Sequence, residues 1–304
     1  MKIAAIGSRE DTKQLVPILR VLKDLGIPAY ALSFTEDWIR LERKKIQGYV
    51  EAADHYIIVS DAHSLSSTWF GFAVGSAAAL IHGCSLFRVD PSWEPPPYLR
   101  GFPVFEDLDE LRAFFTVKHE EWGMEDARLA SRAALLELGI SYHADALSSS
   151  VADGDIHAVE LFLESGFNSN SRDKHGVPLI CLATRHRRLG VVKLLLERGA
   201  TINERSEDRG YTALMEAAKS GPAAQVAFFL AKGSDPNIES KDGQTALVIA
   251  VGRQDLESCR LLLEHGADPD RADKLGMSAR TYAKLFKLAA FKELFDSYPP
   301  IEPE

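Results

Sequence analysis

The sequence has little of what marks secreted, membrane-spanning or nucleic-acid-binding proteins. Three cysteines in 304 residues are too few, and odd in number, for a disulfide framework. Its apolar runs are too short to span a bilayer, and the N-terminal run ends at Gly7, too early for a signal peptide. A formal net charge of −9 argues against binding to nucleic acid or anionic membranes, which requires clustered Lys and Arg. We therefore expect a cytoplasmic protein with buried thiols.

The second half of the sequence repeats itself. Four segments align as "VELFLESG", "VKLLLERG", "VAFFLAKG" and "CRLLLEHG". Their final glycines recur every 33 or 34 residues, at Gly166, Gly199, Gly233 and Gly266. A second set has the same period, at Gly176, Gly210, Gly243 and Gly276. A period of this length predicts a stack of small helical units, each covering the apolar face of its neighbour.

The segments after the second glycines, "GYTALMEAA" and "GQTALVIAV", complete a pattern that resembles the ankyrin repeat. The resemblance covers about five units, residues 144–298, and implies an all-α solenoid whose terminal units are degenerate caps. Thr212 and Thr245 are expected to cap helices with their hydroxyl groups. The glycines that end the Leu-rich helices are expected to adopt left-handed conformations.

The candidate partner-binding surface of this array is a set of polar loop tips, at residues 172–175, 206–209, 239–242 and 271–274. The resemblance implies that a protein partner binds through these tips and the concave face, and the candidate residues are Lys174, His175, Arg209, Lys241 and Lys274. The alternative is that the tips are merely solvated loops. His175, His186 and His265 do not share a metal-ligand spacing, so we predict surface roles for these three residues and no metal site.

The first half alternates strand-like and helix-like segments. Strands are predicted at 2–7, 28–34, 55–60, 84–90 and 102–106, with helices at 11–26, 38–54, 66–80 and 107–115. This order predicts an α/β domain: a five-stranded parallel, flavodoxin-like sheet with helices on both faces. Ligands of such sheets bind beyond the carboxyl ends of the strands, here after Gly7, Ser33, Ser60 and Asp90.

Residues 1–115 also carry motifs that resemble a TIR domain. The matching positions are Ser8, Glu10 and Asp11 in "IGSRED", Trp38 and Asp54 around the second helix, and Ser60, Ser67 and Trp69 after the third strand. Nucleoside 2-deoxyribosyltransferases are the second match, through "AVGSA" at 73–77. Both resemblances imply cleavage or exchange of an N-glycosidic bond, with NAD or a nucleoside as the candidate ligand.

That chemistry needs a carboxylate beside the sugar, because departure of the base leaves positive charge on the ribose. Both resemblances place this acid at residue 73, where the sequence has Ala73. Three explanations stay open: an apolar helix that never had catalytic function, a relic that lost its acid, or a deliberate substitution. Another acid or base is a further alternative, from Asp61, His63 or Glu94. The candidate ligand-binding residues are Gly7, Ser8, Ser60, Asp61 and Trp69.

The proposed organisation is a TIR-like domain at 1–115, a helical connection at 116–143, the ankyrin array at 144–298 and a tail at 299–304. The connection is expected to dock on the first repeat through Leu129, Leu135 and Leu136. The whole indicates an interaction protein of bacterial signalling or defence, in which a TIR-like domain binds a nucleotide. The alternatives are an active N-glycosidase, completed by self-association of the TIR-like domain, and a non-catalytic scaffold.

Overall fold

The structure, a computed structural model, describes residues 2–8, 12–34, 53–60, 83–90, 92, 94, 95, 99 and 101–298. The contacts divide the chain into two compact units, Met1–Asp126 and Ala127–Glu304. Within the described ranges, every helix is too short or too polar to cross a membrane.

The N-terminal unit is built on a parallel sheet, as predicted. Its elements are β1 (Ile3–Ser8), α1 (Thr12–Asp24), β2 (Ala29–Phe34), β3 (His55–Ser60), β4 (Gly83–Arg88) and β5 (Val104–Phe105). The strand order is β2-β1-β3-β4-β5, and every neighbouring pair is parallel. The fifth strand is two residues long, shorter than the predicted 102–106.

Alternating residues of the strands point to the two faces of the sheet. On one face, Ile3 and Ile57 pack with α1 and with the start of the next helix. On the other face, Ile6 and Ile58 form a second cluster with Leu99. The helix predicted at 66–80 and all but the last two residues of the one predicted at 38–54 lie outside the described residues. Residues 53 and 54 are not helical.

A 30-residue helix, α2 (Leu108–Glu137), contains the boundary between the two units. It joins the helix predicted at 107–115 to the predicted connection without a break. Before the boundary, Phe115 packs in the sheet cluster, and after it Leu135 packs in the core of the array. Docking through Leu129 and Leu136 is wrong, since these residues are 52% and 65% exposed. Seven residues apart, they share a face that differs from that of Leu135.

A buried histidine begins β3. The His55 ring lies over Gly83, where any added Cβ would collide with its Nδ1. Its Nε2 is 3.1 Å from Ser85 Oγ, and its ring centroid lies 5.1 Å from that of Phe115 and 5.9 Å from that of Trp122. Burial, and to a lesser extent nearby Lys118, lower the pKa of His55 from 6.5 to about 4. The ring is therefore neutral at pH 7.

Up to residue 298, where its description ends, the C-terminal unit stacks ten further helices in five pairs. They are α3 (Ala144–Asp153), α4 (Ile156–Glu164), α5 (Leu179–Arg185), α6 (Leu189–Glu197), α7 (Ala213–Ser220), α8 (Ala223–Ala231), α9 (Ala246–Gly252), α10 (Leu256–Glu264), α11 (Ala279–Leu285) and α12 (Ala289–Asp296). One apolar core runs through all five pairs. Each pair covers the apolar face of the next, as in a solenoid.

The local signals for these helices act as predicted. The hydroxyl groups of Thr212 and Thr245 accept hydrogen bonds from the backbone N–H groups of Met215 and Val248, and so cap α7 and α9. Gly199 follows α6 in a left-handed conformation with φ of 85°. Such a residue satisfies carbonyl groups at the helix end without the steric penalty of a Cβ.

Candidate functional site

The polar loop tips form one hydrogen-bonded row along the array. The backbone N–H of Glu207 donates to the Gly176 carbonyl at 3.0 Å, linking the first two tips. The N–H of Lys241 donates to the Arg209 carbonyl at 2.9 Å, and that of Lys274 to the Asp242 carbonyl at 3.0 Å. These bonds recur with the period of the repeats, so the backbone holds each tip against the next.

The five predicted partner-binding residues fall into two groups. Lys174, His175 and Lys274 are exposed, and within the described part of the chain their side chains make no hydrogen bond or ion pair. Lys241 instead donates from Nζ to the backbone carbonyl of Glu207 in the preceding tip. Arg209 likewise donates from Nη2 to the Glu216 carboxylate within the array. The structure therefore leaves three of the five side chains available to a partner.

A cluster of charges that the sequence analysis missed surrounds Glu216. This carboxylate is 1% exposed, and its Oε1 accepts hydrogen bonds from Arg185 Nη2 at 2.7 Å and Arg209 Nη2 at 3.3 Å. Arg185 Nη2 also donates to Asp208 Oδ2 at 3.0 Å. Burial raises the pKa of Asp208, but hydrogen bonds from Ser206, the Arg209 backbone and Arg185 outweigh burial and lower the pKa to about 2. The buried carboxylate is thus compensated by two guanidinium groups.

Tyr211 lies at the edge of this cluster. The Arg209 guanidinium is 4.9 Å from the centre of its ring, and the Lys219 ammonium is 5.7 Å away. Both distances are within the range of cation–π attraction. The cluster escaped sequence analysis because Glu216 occupies a variable position of "GYTALMEAA" and resembles an ordinary surface residue. The available signal was the lone acid at 216, because the residues one repeat before and after it, Leu182 and Ile249, are apolar.

The predicted ligand-binding residues of the N-terminal unit are only partly described. Gly7 and Ser60 lie at the carboxyl ends of the neighbouring strands β1 and β3. Ser60 is fully buried, and its Oγ has no hydrogen-bond partner among the described residues. Ser8 belongs to β1, but its side chain lies outside the description, as do Asp61, His63, Trp69 and Ala73 entirely. Glu94 is exposed.

The cysteines and histidines do not form a metal centre in the described ranges. Cys84, Cys181 and Cys259 are buried, and burial raises the pKa of all three thiols, that of Cys84 to about 12. The three thiols are therefore protonated at neutral pH, and a protonated thiol is a poor nucleophile. His175, His186 and His265 are exposed, in agreement with the predicted surface roles.

Comparison with known proteins identifies the class of the C-terminal unit. Residues 214–300 match the family described as "Ankyrin repeats (3 copies)". With the five stacked helix pairs, this match shows that the C-terminal unit contains ankyrin repeats.

Curated relatives extend this similarity. An ankyrin repeat-containing protein of Treponema pallidum (strain Nichols) is 42% identical over 194 residues, which are 62% of this chain and 65% of the relative. Protein HOS4 of Saccharomyces cerevisiae is 40% identical over 103 residues, 34% of this chain and 9% of the relative. The ankyrin repeat and SAM domain-containing protein 6 of Danio rerio is 30% identical over 151 residues, which are 42% of this chain and 20% of the relative.

In each of these pairs the similar region covers less than two thirds of the relative. The part of this chain that matches the Treponema protein contains more residues than the unit that begins at Ala127. The similar region therefore also includes part of α2 before that residue.

Proposed function

We propose that the ankyrin array recognises another protein and that the loop tips supply the contacts. The observation that carries this proposal is the row of exposed Lys174, His175 and Lys274 side chains on tips held together by backbone hydrogen bonds. A backbone that is ordered before binding loses little conformational freedom when the partner arrives. The exposed ammonium groups of Lys174 and Lys274 favour acidic groups on that partner.

The experiment compares two triple variants of the full chain, each affinity-tagged and produced in its native cell. Lys174→Ala/His175→Ala/Lys274→Ala removes the available tip side chains and leaves Arg209 and Lys241 in place. The control variant removes three other exposed basic residues: Lys193 and His157 within helices, and Lys232 directly after α8. We expect a cross-linked partner to be lost only from the tip variant, with unchanged thermal melting. Equal recovery of that partner by both variants would contradict the proposal.

We further propose that the N-terminal unit is TIR-like and binds a nucleotide such as NAD. The buried Ser60 hydroxyl, without a hydrogen-bond partner in the described ranges and at the carboxyl end of β3, supports this proposal. A buried hydroxyl is rarely left unpaired, and ligands of parallel sheets bind at this edge. Ala73 occupies the position at which the two resembling families carry their acid, so the chain as given is proposed to bind without cleaving.

Calorimetric titration of the concentrated protein with NAD tests the binding, and Ser60→Ala is the informative variant. We expect NAD to bind and Ser60→Ala to weaken it. Ala73→Glu is expected to release nicotinamide, measured chromatographically at high protein concentration to permit self-association. Absence of NAD and nucleoside binding both in the unchanged chain and in Ala73→Glu would leave the unit a scaffold. Nicotinamide release by the unchanged chain would instead support the active glycosidase.

A further inference from the structure

The first helices of four successive repeats carry equivalent residues at, or one position before, their last residue. The four helices are α5, α7, α9 and α11, which are stacked side by side. The four residues, each about one repeat from the next, are Arg185, Lys219, Gly252 and Leu285. We call them the helix-end row. Its character changes along the array from two cationic side chains, through a position without a side chain, to an apolar one.

The first half of the helix-end row is cationic. Arg185 is held by Glu216 and Asp208, whereas Lys219 is exposed and has no acidic partner among the residues that the structure describes. The Lys219 ammonium rests 5.7 Å from the centre of the Tyr211 ring. Glu216 is already compensated by two guanidinium groups, so the positive charge of Lys219 is not neutralised by it. This charge attracts a carboxylate of a partner to the first half of the row.

The second half of the helix-end row is apolar and exposed. Leu285 is 61% exposed, and its neighbour Phe286 is 51% exposed. The ring of Phe286 stacks on that of Tyr282, with centroids 5.9 Å apart and planes inclined by 20°. Half-buried Ile249 lies one repeat before Tyr282. Large apolar side chains left in water together indicate a surface that another chain covers.

Gly252 opens a space between the two halves. A Cβ built at this residue would meet no described atom within 4 Å. The neighbouring cation, Arg253, is held at the end of α7, where it donates to the backbone carbonyls of Ala218 at 3.1 Å and Gly221 at 2.9 Å. A side chain of a partner therefore has room above Gly252 without displacing the array.

We propose that the helix-end row binds a segment of the partner protein in which an acidic residue is followed at fixed spacing by apolar residues. This inference rests on the proposed function of the array and names the chemistry of its partner. The carboxylate pairs with Lys219, one apolar side chain lies above Gly252, and a second packs on Leu285 and Phe286. The charge at one end and the apolar surface at the other fix the direction of the bound segment.

The helix spacing sets the spacing in that segment. Packed helices lie about 8–10 Å apart, so Lys219 and Leu285, two helices apart, are separated by about 16–20 Å. An extended chain advances about 3.3 Å per residue. The acidic residue and the apolar residue at Leu285 are therefore about five or six positions apart, with the residue above Gly252 about midway.

Random 12-residue peptides displayed on phage and selected on the full chain provide the probe. We expect the selected peptides to carry an acidic residue with apolar residues about three and six positions away. Synthetic versions are then titrated against two matched variants. Gly252→Arg fills the open space, whereas Gly123→Arg places the same side chain at a glycine of α2 that also has no described atom within 4 Å. Binding is expected to weaken at least about tenfold for Gly252→Arg and for Lys219→Glu, and to stay unchanged for Gly123→Arg.

Two results would overturn the inference: selection that yields no peptide of this pattern, or peptides that bind Gly252→Arg as tightly as the unchanged chain. Circular dichroism melting checks that Gly252→Arg folds, and if it does not, Lys219→Glu and Leu285→Ser decide by the same titration. Recovery of the cross-linked cellular partner by the loop-tip variant and by Gly252→Arg distinguishes failure of this inference from failure of the proposed function. A partner lost by the loop-tip variant but retained by Gly252→Arg supports the proposed function and refutes the helix-end row.

Discussion

The N-terminal sheet and the ankyrin array bury their apolar residues through contacts of different range. In the sheet, β1 pairs with β3, which lies about 50 residues further along the chain. In the array, each helix packs against helices of its own and the adjacent repeats. The sheet therefore depends on closing long loops before its core forms, whereas the array gains stability repeat by repeat. A defect should consequently act on the two units in different ways.

The two units can be observed separately in the intact chain. All four tryptophans, at positions 38, 69, 93 and 122, belong to the N-terminal unit. The ten helices α3–α12 belong to the C-terminal unit. Tryptophan fluorescence therefore reports on the N-terminal unit, and far-ultraviolet circular dichroism mainly on the array.

The largest expected effect is a cavity in the array. Leu195 is fully buried in α6, and Leu195→Ala should lower the free energy of unfolding by about 2–5 kcal/mol. Because neighbouring repeats support each other, the loss should shift the main dichroism transition and leave the fluorescence transition in place. Leu285→Ala, at an exposed position, is the control and should change neither. If both transitions moved together in Leu195→Ala, the two units would not unfold independently.

The next effect, on the N-terminal unit, depends on pH. Above pH 6.5 His55 is neutral in the folded and unfolded chain and does not alter stability. As the pH falls from 6.5 to about 4, the unfolded chain binds a proton that the buried ring does not. The free energy of unfolding should fall across this window by about 3 kcal/mol, the equivalent of the pKa difference.

Urea unfolding followed by tryptophan fluorescence at pH 7 and pH 4.5 measures this loss. His55→Gln should remove most of the difference between the two pH values, even if the variant is less stable at both. His265→Gln, at an exposed residue of the array, is the matched control and should retain the full difference. An equal pH dependence in all three proteins would assign the effect to other groups.

The smallest effect tests the turns between paired helices. Gln254 adopts a left-handed conformation with φ of 57°, and Arg187 and Lys287 do so in two other repeats. This conformation is strained for a residue with a Cβ. Gln254→Gly should therefore stabilise the array by about 0.5–1 kcal/mol. Gly233 adopts φ of 84°, so Gly233→Ala should instead lower the stability of the array in the same dichroism melt. A loss of stability in Gln254→Gly would show that its side chain contributes more than the backbone strain.

The sequence determined the array almost completely, because its signals are local and repeat. Thr245 and Gly199 each act on the nearest helix end, so their positions alone predicted the caps that the structure has. The strands of the N-terminal sheet were equally clear from their apolar runs. The same local pattern could not show which leucine of α2 faces inward, since that depends on where the helix meets the array.

Only the tertiary structure decided which polar residues are available to a partner. Arg209 and Lys174 look alike in the sequence as basic loop-tip residues. Folding places Arg209 beside the buried Glu216, where its charge is used within the array, and leaves Lys174 in water. It likewise brought Lys219 and Leu285 into one row on stacked helices. A repeat fixes the position of each residue within its unit, but side-chain interactions between units form only when the units stack.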